Sequence, residues 1–384
     1  MSLLKGISNK IKGRGSDNNL AVKKLVEEKL RTVIDPDLNR DIVSLGFVKD
    51  INVTGTKVKV TIELTTPACP VKEQMQAQCE ELILAIGGVE SVEVTMTAQT
   101  RGASGKKGSA EVAAALGRVK NLIAVASGKG GVGKSTSTVS IARSLAAMGS
   151  KVGILDADVY GPSISLMTGA PQPTESDGDM IKPSVVDGMK VISVAMFSQA
   201  GQASIMRGPM VAQIIKQFLT QISWGELDYL LIDYPPGTGD IQLTLSQVAP
   251  ISGAVIVTTP QEVALIDVRK AVSMFGTMKV PVLGVVETMS YFKCDGCDKK
   301  HRIFGDGGGL RVGNEYGLPL LGEIPLDPSV AKLSDEGKSV VIEAPKSETA
   351  KAYLDAAGKI ASQLSILNAQ DQNALTQFAL DWEH

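Results

Sequence analysis

The chain has 384 residues, 43% of them hydrophobic and 21% charged, which is enough length for two or three domains and a composition that excludes a membrane protein or a chain disordered throughout. Its 39 glycines, about 10% against a usual ~7%, point to backbone-lined loops. Net charge is −2, divided as 18 cations against 14 anions through Lys120 and 21 against 27 beyond it, so no broad nucleic-acid surface is expected on the larger, acidic part.

In residues 1–19, Leu3, Leu4, Ile7 and Ile11 recur at helical spacing among Lys5, Lys10, Lys12 and Arg14. A surface-binding or targeting helix is one reading, but the segment is short and runs into GRGS, so a frayed basic arm is expected. No signal-peptide apolar segment is present, and no apolar run approaches the roughly 18 residues that cross a bilayer. Residues 20–97 read as a small α+β domain. Helical spacing over Ala21–Thr32 is followed by alternation over Lys57–Leu64, helical spacing over Pro70–Ile86 and alternation over Val89–Met96. Residues 98–119, beginning AQTRGASGKKGS, hold too little apolar area to order themselves and read as a flexible linker.

From residue 120 to 367 the pattern becomes short apolar runs at 122–126, 152–155, 191–195, 229–232, 254–258 and 282–286, separated by helical stretches. The clearest helix carries Val211, Ile214, Ile215, Phe218, Leu219 and Ile222 in one stripe, with Pro209 in its first turn. Strands buried on both faces and joined by crossover helices imply an α/β domain with a mainly parallel sheet, helices on both sides, and ligands at the carboxyl ends of the strands. A helix from Ser347 to about Leu367 closes this domain, and residues 368–384 form a tail that includes Trp382.

GKGGVGKST, residues 128–136, stands directly after the first buried strand and satisfies the GxxxxGK[ST] pattern in its required strand, loop and helix setting. Gly128, Gly130, Gly131 and Gly133 let the backbone turn successive N–H groups, that of Val132 among them, toward phosphate oxygens. Lys134 can then reach the β- and γ-phosphates of a nucleotide, and the Ser135 hydroxyl, followed by Thr136, can ligate magnesium. Residues 128–136 resemble the deviant Walker A motif of the MinD, ParA and nitrogenase iron protein class, which implies that the extra lysine, Lys129, reaches the nucleotide of a dimer partner. Asp233, ending a buried strand in LLIDYPPGTGD, is a candidate for the magnesium shell. The same resemblance implies that the loop from there to Asp240 is switch II. Asp156 and Asp158 end the second strand in ILDADVYGPS, and the same resemblance nominates Asp158 to position the attacking water.

Cys294 and Cys297 form a CxxC pair in which Gly296 permits a tight turn. By spacing alone the pair is a redox dithiol, half of a zinc site, half of an iron-sulfur site, or a structural pair. His301 offers a third ligand and leaves the fourth missing. Cys69 and Cys79 belong to the other domain, so a two-fold homodimer joining two CxxC pairs is the economical way to four thiolates. Cys69, just before Pro70, is expected at a helix N-terminus that lowers its pKa, which makes it either an accessory thiol or a plain capping residue. Cys79, in step with Met75, Leu82 and Ile86, is expected in the core. Four cysteines are too few for a disulfide scaffold, so a reducing, cytoplasmic setting is expected.

Taken together, GKGGVGKST, DADVYGPS, LLIDYPPGTGD, TTPQEVALIDVRKAV, VETMSYFKC, CDKKHRIFGDGGG and LGEIPLDPSV resemble the Mrp/ApbC family of iron-sulfur cluster carrier ATPases over residues 120 to about 365. DPDLNRDIVSLGFVKDI and TTPACPVKEQM resemble its N-terminal iron-sulfur assembly domain, also found as SufT. The resemblance implies a homodimer that hydrolyses ATP, holds a 4Fe-4S cluster across the subunits on Cys294 and Cys297, and passes it from an assembly scaffold to apoproteins, without nucleic acid or membrane as partner. A MinD/ParA-like positioning ATPase with structural zinc at the cysteine pair is the alternative. Two positions depart from the family pattern. Thr288 stands where an asparagine is expected to read adenine, and Tyr234 replaces a smaller aliphatic residue, with little effect expected.

Overall fold

The computed structural model describes residues 15–102, 108–197 and 208–381. The basic arm before residue 15, Lys106 and Lys107 of the linker, and Trp382 lie outside the described residues. The chain divides between Thr100 and Arg101 into two compact units.

In the first unit a three-stranded sheet runs in the order Val48–Thr54, Lys57–Leu64, Ser91–Ala98. The first pair is antiparallel and the second parallel. The helices Gly15–Leu30 and Lys72–Leu84 cover it. Alternation puts Val58, Val60, Ile62 and Leu64 inside, against Val26, Leu30, Met75, Cys79 and Ile83. Cys79 is thus a core residue, as its spacing implies. Strand Val48–Thr54 departs from the sequence reading, because Lys49 and Asp50 interrupt its alternation where the register shifts between Val48 and Asp50.

The second unit is built on an eight-stranded sheet in the order Ser184–Val186, Met189–Ser193, Val152–Asp156, Leu227–Asp233, Val119–Ser127, Gly253–Thr258, Val282–Glu287, Leu320–Glu323. All neighbours pair parallel except the first two strands. Each of the six apolar runs forms a strand, except that the run at 191–195 leaves its strand at Ser193 and continues into the 3-10 turn Val194–Phe197, and the central strands are buried on both faces. Register places Asp233 beside Asp156 and Thr258 beside Glu287. The carboxylates and hydroxyls therefore gather at the carboxyl end of the sheet, where a doubly wound fold binds its ligands.

Two segments are more ordered than the sequence implies. Within the span assigned to a flexible linker, Ala110–Ala115 is a helix, N-capped by the Ser109 side chain, which accepts from the Val112 amide. Burial of Val112 and Leu116 in the core of the second unit supplies the apolar area that the Gly/Ser stretch before them lacks. The closing helix runs from Glu348 to Asp381 and so continues through most of the segment read as a tail. Asn368 is buried on it and donates to Arg101 O at 3.0 Å and to Asn121 Oδ1 at 3.2 Å.

Candidate functional site

Strand Val119–Ser127 ends in a loop that turns into helix Lys134–Ala147. The loop needs glycine at specific points. Gly131 and Gly133 have φ of 80°, in the left-handed region. A Cβ at Gly128 would lie 2.6 Å from the amide nitrogen of Val268 and closer still to the Asp267 backbone. The Ser127 hydroxyl braces the loop by donating to Lys129 O at 2.9 Å.

Lys134 is buried, and its ammonium lies 2.9 Å from Asp233 Oδ2 and 3.4 Å from Asp158 Oδ2. Ser135 Oγ donates to Asp233 Oδ2 at 2.6 Å, and Thr138 Oγ1 donates to Asp233 Oδ1 at 2.8 Å. Asp158 also accepts from the Gly161 amide at 3.2 Å. The predicted Lys134, Ser135, Asp158 and Asp233 thus converge, while Lys129 makes no ion pair among the described residues. Asp156 supports them from below. It accepts from the amides of Asp158 and Ile164, each at 3.2 Å, and from Ser193 Oγ at 2.8 Å. Burial, and then the neighbouring Asp233, push its carboxyl upward. Asp240 is exposed in the first turn of helix Asp240–Val248.

Tyr234 is fully buried, its hydroxyl 3.2 Å from Ser246 Oγ and its ring centroid 5.9 Å from that of Phe275. It therefore anchors the end of strand Leu227–Asp233 to the helices behind it. Thr288 is also buried, with Oγ1 2.6 Å from Val132 O and 2.9 Å from Thr258 O. Its single proton bonds backbone carbonyls, one of them in the phosphate loop. Nothing in the sequence pattern signals that contact.

The cysteine pair sits in the turn between strands Phe292–Lys293 and Lys300–His301. Cys294 is half-buried and Cys297 exposed. The Cys294 amide donates to Lys299 O at 3.0 Å, and the Asp298 amide to Cys294 O at 2.9 Å. The left-handed residue of the turn is Asp298, φ 58°, rather than Gly296. Backbone amides of Gly296 and Cys297, with the Cys297 side chain, lower the Cys294 thiol pKa. Lys293 and Lys300 tie the hairpin to Glu348 at 3.5 and 3.6 Å, and Lys300 lies 4.1 Å from the Tyr291 ring centroid. His301 pairs with Phe292, and among the described residues no three of His, Cys, Asp or Glu converge to hold a metal. The third-ligand role for His301 is thus not met within one chain.

Two cavities flank the segment Ile324–Asp327. One of about 370 Å³ borders Gly133 and Thr136 of the phosphate loop, and one of about 290 Å³ borders Cys294. Pro325, Leu326 and Asp327 line both.

Cys69 departs from expectation. The helix after it starts at Lys72 with Val71 as N-cap and no side-chain capping bond. Burial dominates, and Asp37 and Asp35 add to it, so the thiol is pushed up to about 11 despite a bond from the Val71 amide.

Comparison with known proteins matches residues 118–361 to a family described as NUBPL iron-transfer P-loop NTPase, and residues 23–96 to iron-sulfur cluster assembly protein. The iron-sulfur cluster carrier protein of Deinococcus radiodurans is 47% identical over 339 residues, covering 88% of this chain and 94% of that protein. The chloroplastic Fe-S cluster assembly factor HCF101 of Arabidopsis thaliana is 45% identical over 353 residues, covering 90% and 65%. Among solved structures, a nucleotide-binding protein of Archaeoglobus fulgidus in complex with ADP aligns with a TM-score of 0.54 at 43% identity, covering 59% of this chain and 90% of that one.

Proposed function

The chain belongs to the iron-transfer P-loop NTPase family, with an iron-sulfur cluster assembly domain ahead of the NTPase domain, and on that premise we propose that it is an ATP-hydrolysing carrier that delivers a 4Fe-4S cluster to apoproteins. The observation that carries the reading is one domain holding both a complete phosphate-loop cluster, Lys134 with Asp158 and Asp233, and an accessible CxxC hairpin.

ATP binds with its phosphates against the loop amides and the Lys134 ammonium. Ser135 Oγ and Asp233 Oδ2, 2.6 Å apart, are hard oxygen donors that fit magnesium. When bound, that ion neutralises charge on the phosphate oxygens. Asp158, held by Gly161 and Lys134, orients the attacking water. Lys129 supplies a second cation, to the nucleotide of a partner subunit, where it offsets charge developing on the transferred phosphoryl group.

Two thiolates are half of a cluster's ligand set, so a second copy supplies the other two, and the carrier is a homodimer with the cluster between its subunits. Its partners are an assembly scaffold and apo iron-sulfur proteins. The four free cysteines support a reducing, cytoplasmic setting. Among the described residues no helix is long and apolar enough to cross a membrane. Cys69, with its raised pKa, remains neutral at physiological pH and serves as a protonated accessory thiol.

Anoxic reconstitution followed by iron, sulfide and zinc analysis tests the carrier reading. About four irons per two chains is expected, and loss of the iron in both Cys294→Ser and Cys297→Ser. Stoichiometric zinc without sulfide would instead make the pair a structural staple. Lys134→Ala should abolish ATP turnover and Lys129→Ala impair it. Unchanged turnover in both would remove the site assignment.

A further inference from the structure

The cavity of about 370 Å³ is lined by Gly133 and Thr136 of the phosphate loop, so it is the space into which the base of a nucleotide held at residues 128–136 would extend. Its walls are largely apolar, including Met167, Ile324, Pro325, Leu326 and Val330. Of the polar groups on those walls, the buried Thr288 and Tyr353 and the half-buried Asp327 are bonded to protein. The Thr288 hydroxyl lies within donating distance of Val132 O and Thr258 O. The Tyr353 hydroxyl is buried 3.4 Å from Ser137 Oγ. Asp327 accepts from Ser329 on one oxygen and from Thr349 on the other, at 2.7–2.9 Å. The other polar side chains lining the cavity, Thr136, Ser163, Ser334 and Asp335, are half-buried or exposed. A base edge in this cavity therefore meets apolar walls and solvated groups.

We infer that this NTPase accepts guanine as well as adenine nucleotides, and that Thr288 is a positioning residue for the phosphate loop and does not read the base. The inference rests on the phosphate-loop reading above. The physical reason is an asymmetry in molecular discrimination. A site with buried groups committed to a base edge rejects the wrong base by about 10⁴-fold or more, because those groups are left unpaired, whereas an apolar slot separates near-isosteres by roughly 100-fold at most. Here the buried hydroxyl nearest the loop is bonded to Val132 O, so it sets the position of the loop. Losing it disturbs phosphate binding, a part of the ligand that ATP and GTP share.

The test measures binding and steady-state hydrolysis of MgATP and MgGTP by the full-length protein, its Thr288→Val variant and its Thr288→Ser variant. For the parent, kcat/KM values for ATP and GTP within about 100-fold are expected, and a larger gap overturns the inference. Thr288→Val, nearly isosteric but without the hydroxyl, should raise KM for both nucleotides by the same factor, about 5- to 10-fold, leaving their ratio within about 2-fold of the parent's. Thr288→Ser, which keeps the proton donor, should restore both. A ratio that moves with Thr288→Val makes Thr288 a base reader and overturns the positioning role. If that variant fails to fold, the parent comparison decides the first claim and Thr288→Ala, which also lacks the hydroxyl, takes its place for the second: equal KM increases for both nucleotides support the positioning role and a shifted ratio overturns it. Binding of ATP with no binding of GTP overturns this inference and leaves the ATPase reading intact, whereas binding of neither removes both.

Discussion

Replacing Lys134 by alanine tests the site's electrostatics apart from its catalysis. Lys134 is 6% exposed and is the cation between Asp233, fully buried, and Asp158, 8% exposed, with Asp156 fully buried behind them. Removing one member of a buried ion cluster leaves the remaining charges uncompensated, which costs about 3–5 kcal/mol. The variant should therefore lose stability by about that amount, besides losing turnover. The sign with pH follows from linkage. Burial and the neighbouring Asp233 already hold the folded-state pKa of Asp156 above its unfolded value of about 3.9, and loss of the Lys134 charge raises it further. Such a group contributes stability at low pH that is lost as pH rises. The deficit should be largest near pH 8 and shrink toward pH 5. Urea unfolding followed by the fluorescence of Trp224, buried in the NTPase unit, reads it in a Trp382→Phe background. Asp158→Asn combined with Lys134→Ala should recover about 1–2 kcal/mol, because the two substitutions share one interaction. A Lys134→Ala protein as stable as its parent at pH 8, or a deficit that grows on acidification, would refute the argument.

Three further outcomes follow from the packing. Gly128→Ala should weaken ATP binding at least 10-fold and cost about 1–3 kcal/mol, since the added methyl meets the rigid backbone of Asp267 and Val268; equilibrium binding and unfolding measure the two effects. Tyr234→Phe should cost only about 0.5–1.5 kcal/mol, because Ser246 Oγ keeps its bond to Gln242 O, while Tyr234→Ala should cost about 3–5 kcal/mol; equal losses would assign the role to the hydroxyl and not to the ring. Burial pushes the Cys79 thiol up to about 12 from 9.0, so the first unit should lose stability as pH climbs between those values, and Cys79→Val should flatten that dependence in alkaline unfolding curves.

The parts of this molecule visible in its residues are those encoded locally. A strand buried on both faces is a continuous apolar run, so 122–126, 229–232 and 254–258 declare themselves, and a phosphate loop needs its glycines and its lysine in one stretch. Leu320–Glu323 is short and lies at the edge of the sheet, and Val48–Thr54 carries a bulge, so neither has a clean period. Helix Ala110–Ala115 depends on a core supplied by distant chain, through Val112 and Leu116. The thiol of Cys69 does not follow the local rule about helix ends, because burial and the carboxylates of Asp37 and Asp35 prevail. The contact of Thr288 with Val132 spans 156 positions and is not readable from either neighbourhood.

Pro325, Leu326 and Asp327 are a partition with a compartment on each side, one opening to the phosphate loop and the other to Cys294. A thin wall of this kind cannot be resized for one room without altering the other. Engineering that seeks a roomier base pocket by trimming Leu326 will also reshape the surroundings of the thiols, so changes to nucleotide preference and to metal handling made here will arrive as a pair. To vary them separately, the substitutions must fall on walls that are not shared, such as Val330 on one side and Phe292 on the other.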